Sequence, residues 1–133
     1  MVNTNMKNLL LIPTLLLAGC SSLFSSPSTY DPVLYSRTVT LWFETQASAT
    51  NCGTPAMQGQ VLAFNRESKR LVKYTEYASK DLNSSLVLVD KDISEMNSIY
   101  QVGNPSVAYC KIKVEIISDE LDTILKGMGG KSK

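Results

Sequence analysis

An apolar run near the N-terminus decides which residues are available to build a fold. Leu9 to Leu17 reads LLLIPTLLL; it follows Lys7 and precedes the small residues Ala18 and Gly19. A basic start, a short apolar run and small residues are the three parts of a secretory signal. The run is far below the roughly 20 residues that a membrane-spanning helix needs. The sequence therefore predicts that residues 1–19 are a signal peptide, and a start at Met6 would leave that signal complete.

Cys20 follows the small residues directly. Leu17-Ala18-Gly19-Cys20 resembles a bacterial lipobox. The resemblance implies that the signal is cut before Cys20, which then carries a diacylglyceryl thioether and an N-acyl chain such as palmitate. One acyl chain binds a membrane only reversibly, whereas several hold a protein there. Ser21 and Ser22, with no neighbouring Asp, resemble the pattern of lipoproteins sorted to the outer membrane, so we expect the protein at its periplasmic face.

Cys52 and Cys110 are the two cysteines that remain after lipidation of Cys20. An even number of cysteines in an exported protein predicts a disulfide, because the periplasm is kept oxidising. Closing a loop over roughly half of the mature chain contributes about 4 kcal/mol in the chain-entropy model. The alternative is a reactive thiol or a redox pair, which the lack of a CxxC spacing disfavours.

Histidine is absent and the charges nearly balance, with 13 Lys and Arg against 12 Asp and Glu. The absence of His removes the usual general base of Ser and Cys hydrolases and the commonest zinc ligand. A net charge of +1 gives no field that would recruit nucleic acid. Asp90, Asp92 and Glu95 lack the glycine and the terminal glutamate of a calcium loop, so they predict a solvated turn. We expect a non-enzyme without metal or cofactor.

Alternating apolar and polar residues predict a mostly β protein. In Thr38 to Glu44 the apolar residues at 39, 41 and 43 fall on one face, as a half-buried strand requires. Val107 to Ile117 alternates over a longer stretch and places Cys110 on the core face. Three further strands are expected at Gln60 to Phe64, Ser85 to Asp90 and Ser98 to Val102. Strands at this spacing are typical of a small β-sandwich.

One or two short helices accompany these strands in the prediction. Lys69 to Ala78 fits a helix or a strand, and its charged residues favour a short helix. Ser118 is expected to cap another helix, which ends at Gly127. The expected organisation is a flexible lipidated tether over residues 20–35, the sandwich over residues 36–126 and a loose tail over residues 127–133.

The segment Thr45 to Gly59 is polar and carries the breakers Asn-Cys-Gly and Thr-Pro. It predicts a long loop, which is uncommon within a compact domain and often functional. A disulfide at Cys52 would rigidify the loop and lower the ordering cost of binding. The candidate partner-binding residues are Thr45, Gln46, Ser48, Thr50, Asn51, Thr54, Pro55 and Met57.

Four basic residues, Arg66, Lys69, Arg70 and Lys73, lie close together in the sequence. On a helix, the residues at 66, 70 and 73 would share one face. This face is expected to be simply solvated, and the alternative is a docking patch for an acidic partner or for lipid headgroups.

From residue 17 to residue 90, the order of these features resembles the TssJ family, the small outer-membrane lipoproteins of type VI secretion systems. The lipobox at Cys20 is followed by a strand at Val39 to Phe43 and a loop with Asn51 and Pro55. A strand at Val61 to Phe64 and the residues Tyr74-Thr75-Glu76-Tyr77 come next. The resemblance implies a transthyretin-like β-sandwich that anchors the secretion apparatus. Its loop at 45–59 would bind the periplasmic domain of an inner-membrane, TssM-like protein.

Two other classes of function stay open. The chain fits another assembly or exclusion lipoprotein, such as a pilotin, a conjugation-channel component or a phage-encoded lipoprotein. An enzyme or a small-ligand binder is the remaining alternative, and it would need a deep pocket with clustered acids.

Overall fold

Four α-helices and one short 3₁₀ helix make up the described part of the chain. The computed structural model describes residues 30–130, so the predicted signal peptide, Cys20 and most of the predicted tether lie outside the described residues. The elements are α1 (Pro32–Ala47), the 3₁₀ helix Ser48–Asn51, α2 (Ala56–Ala78), α3 (Lys80–Val102) and α4 (Val107–Gly130). No strand occurs between residues 30 and 130, and the predicted β-sandwich is therefore wrong.

The helices form an antiparallel four-helix bundle. Helix α1 contacts α2 and α4, and α3 contacts the same two helices, whereas the diagonal pairs do not meet within the described residues. Short connections favour this antiparallel arrangement of neighbours. At the tether end, α1 begins, α2 ends, α3 begins and α4 ends. At the disulfide end, α1 ends, α2 begins, α3 ends and α4 begins. Because α2 has 23 residues, the two ends lie about 35 Å apart.

Helix α1 shows why a strand pattern was misleading. Its buried residues are Leu34, Thr38, Leu41 and Thr45, which follow helical spacing. The hydroxyls of Thr38 and Thr45 donate to the carbonyl four residues earlier, each at 2.7 Å, so burial leaves neither hydroxyl unpaired. With threonine at half of the core positions, the apolar stripe is hard to see. Phe43, which was expected on the same face as Leu41, is 63% exposed.

The other predicted strands are also helical. Val107 to Ile117 opens α4, in which Cys110, Val114 and Ile117 are buried while Ile112 and Ile116 are exposed. The strand predicted at 60–64 lies within α2, and those at 85–90 and 98–102 lie within α3. Residues three or four positions apart are buried together in each helix, which is the period of an amphipathic helix.

The predicted helices exist, but with different bounds. Residues 69–78 are helical as favoured, within the longer α2. Ser118 is a buried residue inside α4 and not a cap. Helix α4 continues past Gly127 to Gly130, so residues 127–130 are helical where a loose tail was expected. At the other terminus, α1 begins at Pro32, within the predicted tether, and Asp31 caps it by accepting from the backbone N–H groups of Val33 and Leu34.

Candidate interaction surface at the disulfide end

The structure contains the predicted disulfide between Cys52 and Cys110. The Cα atoms of the two residues are 5.7 Å apart, a usual distance for a disulfide. The bond joins the turn after the 3₁₀ helix to the first turn of α4, over a sequence separation of 58 residues. Cys110 is fully buried and Cys52 packs against the core. The bond therefore fastens α1 to α4 at this end of the bundle.

The turn that carries Cys52 is compact. Gly53 has φ of +87°, in the left-handed region, and a Cβ atom on it would lie 2.7 Å from Cγ2 of Val107. The backbone N–H and the hydroxyl of Thr54 both donate to the carbonyl of Asn51, at 3.0 and 2.7 Å. Met57 N–H donates in turn to the carbonyl of Thr54 at 3.2 Å. The segment expected to be a long loop is a tight corner between two helices.

This corner presents only half of the predicted partner-binding residues to solvent. Thr45, Ser48 and Met57 are buried in the bundle. Asn51 is half-buried, and its side chain donates to Oε1 of Gln60 at 3.0 Å. The remaining four are exposed: Gln46, Thr50, Thr54 and Pro55. Thr50, Thr54 and Pro55 lie within three residues of Cys52 in the chain, and Gln46 lies in the last turn of α1, so all four are at the disulfide end.

Two segments at this end of the bundle carry no charge, and Glu44 in the last turn of α1 and Lys111 beside Cys110 border them. Neither 45–65 nor 96–110 contains an Asp, Glu, Lys or Arg, and the chain has no His. The disulfide joins these two segments, and Nε2 of Gln58 donates to the carbonyl of Tyr100 at 3.1 Å. Both uncharged stretches are visible in the sequence, but only the bundle brings them to one place. Sequence reasoning considered one of them and missed the other.

Exposed apolar side chains lie within the uncharged surface. Val102 is 88% exposed at the end of α3, and Val107 is 45% exposed at the start of α4. On the side of the bundle, Phe43 borders an open cleft of about 320 Å³ between α1 and α2. The other residues that line this cleft are Glu44, Ala47, Gln60, Ala63 and Phe64. Apart from Glu44, the residues of this surface and cleft are apolar or neutral and polar, which matches the centre of a protein interface, where charged residues are depleted.

Ion pairs with acidic neighbours compensate most of the charge of the predicted basic patch. Arg66, Arg70 and Lys73 are exposed on α2, as their helical spacing predicts. Arg70 lies 3.5 Å from Glu67, and Nζ of Lys73 lies 2.8 Å from Glu76. Lys69 reaches towards α3, with Nζ 3.5 Å from Asp90 and 3.1 Å from Oγ of Ser94. Three of the four cations thus have acidic neighbours, and the patch offers little net positive charge.

The three acids on α3 hold neighbouring helices instead of forming the predicted solvated turn. Asp90 accepts from the hydroxyl of Ser68 on α2 at 2.6 Å. Asp92 and Glu95 lie 3.3 and 3.5 Å from Nζ of Lys113 on α4. Among residues 30–130, no group of three potential ligands is placed to hold a metal ion. These acids therefore connect α3 with α2 on one side and with α4 on the other.

Glu120 on α4 belongs to the same charged cluster. Burial, together with hydrogen bonding to Asp92 and the negative charge of Asp92, raises the pKa of Glu120 to about 7, and the charge of Lys113 opposes this rise. Its Oε2 atom is buried. Folding therefore favours the protonated carboxyl of Glu120 over its carboxylate at this position between α3 and α4.

No helix between residues 30 and 130 is long and apolar enough to cross a membrane. Comparison of the chain with models of protein families, with curated proteins and with solved structures finds no match.

Proposed function

We propose that this chain is an outer-membrane lipoprotein, anchored through Cys20, that has a structural and not an enzymatic role in the periplasm. Its bundle docks the periplasmic domain of an inner-membrane partner on the disulfide end. The observation that carries this proposal is the uncharged surface built from 45–65 and 96–110. Most charged residues of the described chain lie outside this end, which is the contrast expected between a docking surface and a solvated one.

The position of the anchor supports this choice of surface. The chain enters the described structure at Tyr30, beside the start of α1, so Cys20 is connected to the tether end. The disulfide end lies about 35 Å farther along the bundle. A partner that comes from the inner membrane can therefore engage this end without displacing the lipid anchor.

The rigidity of the corner also supports docking. Ordering a flexible loop on binding costs free energy, and a surface that is already ordered avoids that cost. Here Cys52 is bonded to Cys110, and the turn is held by the hydrogen bonds of Thr54 and Met57. The exposed residues between them are thus fixed before any partner arrives.

The type VI secretion role stays a prediction, although the sandwich that the resemblance implied is wrong. A pilotin, a conjugation-channel component and a phage-encoded exclusion lipoprotein would use a docking surface in the same way. The identity of the captured partner separates these roles.

Site-specific photo-crosslinking tests the surface. A benzophenone amino acid at Val102 should give a covalent adduct with a periplasmic domain in intact cells. The matched control is Leu88, which is also on α3 and is 60% exposed on the side of the bundle. We expect the adduct from position 102 and not from position 88. Equal adducts at both positions, or none at either, would contradict docking at the disulfide end.

A charge introduced into the uncharged surface gives a second test. Val102→Lys should lower the yield of captured partner at least tenfold, because an unpaired charge at an interface must be desolvated. Leu88→Lys adds the same charge to the same helix and should leave capture unchanged. Circular dichroism of both variants checks that the bundle is intact.

The anchor has its own test. Cys20→Ser should move the protein from the outer-membrane fraction to the soluble periplasmic fraction, because no acyl chain can be attached. Unchanged fractionation would show that Cys20 is not the anchor.

A further inference from the structure

Tyrosine side chains gather at the tether end of the bundle. Tyr77 is 82% exposed, while Tyr30 and Tyr74 are 40% and 39% exposed. The hydroxyl of Tyr74 donates to Oδ2 of Asp31 at 2.6 Å, so the end of α2 lies beside the start of α1. Val33, in the first turn of α1, adds an apolar side chain that is 56% exposed. Together these four residues, Tyr30, Val33, Tyr74 and Tyr77, form a tyrosine rim.

The chemistry of this rim suits the headgroup region of a bilayer. A tyrosine ring is apolar and its hydroxyl is polar, and such side chains concentrate where hydrocarbon meets water. Nζ of Lys73 lies 5.4 Å from the centre of the Tyr77 ring. A lysine in the headgroup region can keep its charge in water while its methylene groups contact apolar surface.

The charges around the tyrosine rim nearly cancel. Lys73 is paired with Glu76, and Arg70 is paired with Glu67. Asp31, which accepts from Tyr74, adds a negative charge at the same end. A surface of this kind has little attraction for anionic lipids, so its contact with a bilayer depends on aromatic and aliphatic burial.

The short stretch of chain between Cys20 and the bundle indicates which surface lies near the tyrosine rim. Tyr30 follows Cys20 by ten residues. Ten residues span at most about 35 Å, whatever their conformation. An acylated Cys20 therefore keeps the tyrosine rim within reach of the bilayer, while the disulfide end can stand a further bundle length away.

We infer that the tyrosine rim is a membrane-contact surface that rests on the headgroup region of the bilayer in which Cys20 is anchored. This inference depends on the proposed lipidation. It assigns the two ends different occupants: lipid at the tether end and protein at the disulfide end. Contact at the rim would hold the bundle upright on the bilayer and present the uncharged end to the periplasm.

Tryptophan quenching by lipid tests the inference. The acylated protein is reconstituted into vesicles of phosphatidylethanolamine and phosphatidylglycerol, a fraction of which carry brominated acyl chains. The native Trp42 is replaced by Phe in both samples, and the reporter is either Tyr77→Trp or Val102→Trp. We expect the reporter at 77 to be quenched at least twofold more than the reporter at 102, and 0.5 M NaCl to leave this difference unchanged.

Each other result overturns the inference in a distinct way. Equal quenching at positions 77 and 102, in protein whose Cys20 is acylated by mass spectrometry, would refute rim contact and leave the proposed function intact. Loss of the difference in 0.5 M NaCl would show that charge, and not the tyrosines, holds the bundle at the bilayer. Absence of acyl chains on Cys20 would refute the proposed function, and the inference with it.

Discussion

The two ends of the bundle are held together by different kinds of bond. At the tether end, Asp31 accepts from two backbone N–H groups and from Tyr74, and the side chain of Asn83 donates to the carbonyl of Val72 and to Thr75. At the disulfide end, the covalent bond between Cys52 and Cys110 joins the end of α1 to the start of α4. Hydrogen bonds of this kind contribute modestly to stability, whereas a disulfide persists until it is reduced.

This difference explains why the two segments joined by the disulfide can lack charge. A helix end needs partners for its free backbone groups, and polar or charged side chains usually supply them. Around the disulfide, the corner pairs its own backbone through the hydrogen bonds of Thr54 and Met57. The remaining surface of the two uncharged segments therefore needs no charged side chain for its own structure.

Removal of the disulfide should have the largest effect on stability. Cys52→Ser combined with Cys110→Ser should lower the free energy of unfolding by about 4 kcal/mol, because the unfolded chain regains the entropy of a 58-residue loop. Urea unfolding followed by circular dichroism measures the change, and reduced wild-type protein serves as the matched control. A loss below about 1 kcal/mol would show that the disulfide end is held by its packing alone.

Gly53→Ala should have the next largest effect on the free energy of unfolding. A side chain is strained at φ of +87°, and its Cβ would meet Val107 at 2.7 Å, so we expect a loss of about 2 kcal/mol. Gly59→Ala is the control: this glycine lies in α2 with no atom near an added Cβ, and alanine should raise stability by about 0.5 kcal/mol. Thermal unfolding of the two variants should therefore shift in opposite directions. A shift of the same sign would contradict the strained corner.

Between the two ends, Glu120 should make stability depend on pH. Its pKa in the folded protein is raised to about 7 from 4.5, so the stabilisation is complete below the unfolded pKa and is lost as the pH rises through 7. After allowance for partial exposure, wild-type protein should be less stable at pH 8 than at pH 5 by about 1.5 kcal/mol. Glu120→Gln should remove this dependence, and urea midpoints over that range measure it. A variant that keeps the full slope would assign the dependence to another group.

The smallest effect is expected at the tether end. Asp31→Ala removes the cap of α1 and the acceptor of Tyr74, and should lower stability by about 1 kcal/mol. Asp31→Asn keeps a capping oxygen and should lose less. The hydrogen bond from Tyr74 is the main reason that the pKa of Asp31 is lowered, so its stabilisation is present above pH 3.8 and is lost as the pH falls through the folded value. Thermal unfolding at pH 7 and pH 3 checks both points.

The cysteine count and the predicted export were enough to predict the disulfide, because pairing depended on chemistry and not on fold class. The predicted fold was wrong, and individual residues show the physical reason. In α1, Thr38 and Thr45 occupy core positions and satisfy their own hydroxyls on the preceding turn. In α4, the apolar residues Ile112 and Ile116 are exposed. The sequence of this segment therefore fits both the alternation of a strand and the spacing of a helix. Tertiary packing then decided between two patterns that the sequence allows.

The site was harder to predict than the disulfide because it depends on the fold. Thr54 and Pro55 were expected at the surface and are there, while Thr45 and Met57 point into the core. The sequence predicts Val102 only as the end of a strand, because nothing in its own segment relates it to Cys52. Only when α3 ends beside the start of α2 do the two uncharged segments become one surface.

The disulfide also has a mechanical consequence. In a protein fixed at Cys20 and pulled by a partner near Val107, tension enters at the start of α1 and travels to Cys52. It then crosses the sulfur–sulfur bond to Cys110. The hairpin of α2 and α3 lies between these two cysteines in the chain and is therefore outside the covalent load path. Tension between Cys20 and Val107 would therefore load α1, the 3₁₀ helix and the first turn of α4, whereas α2 and α3 would carry none of it through the covalent chain.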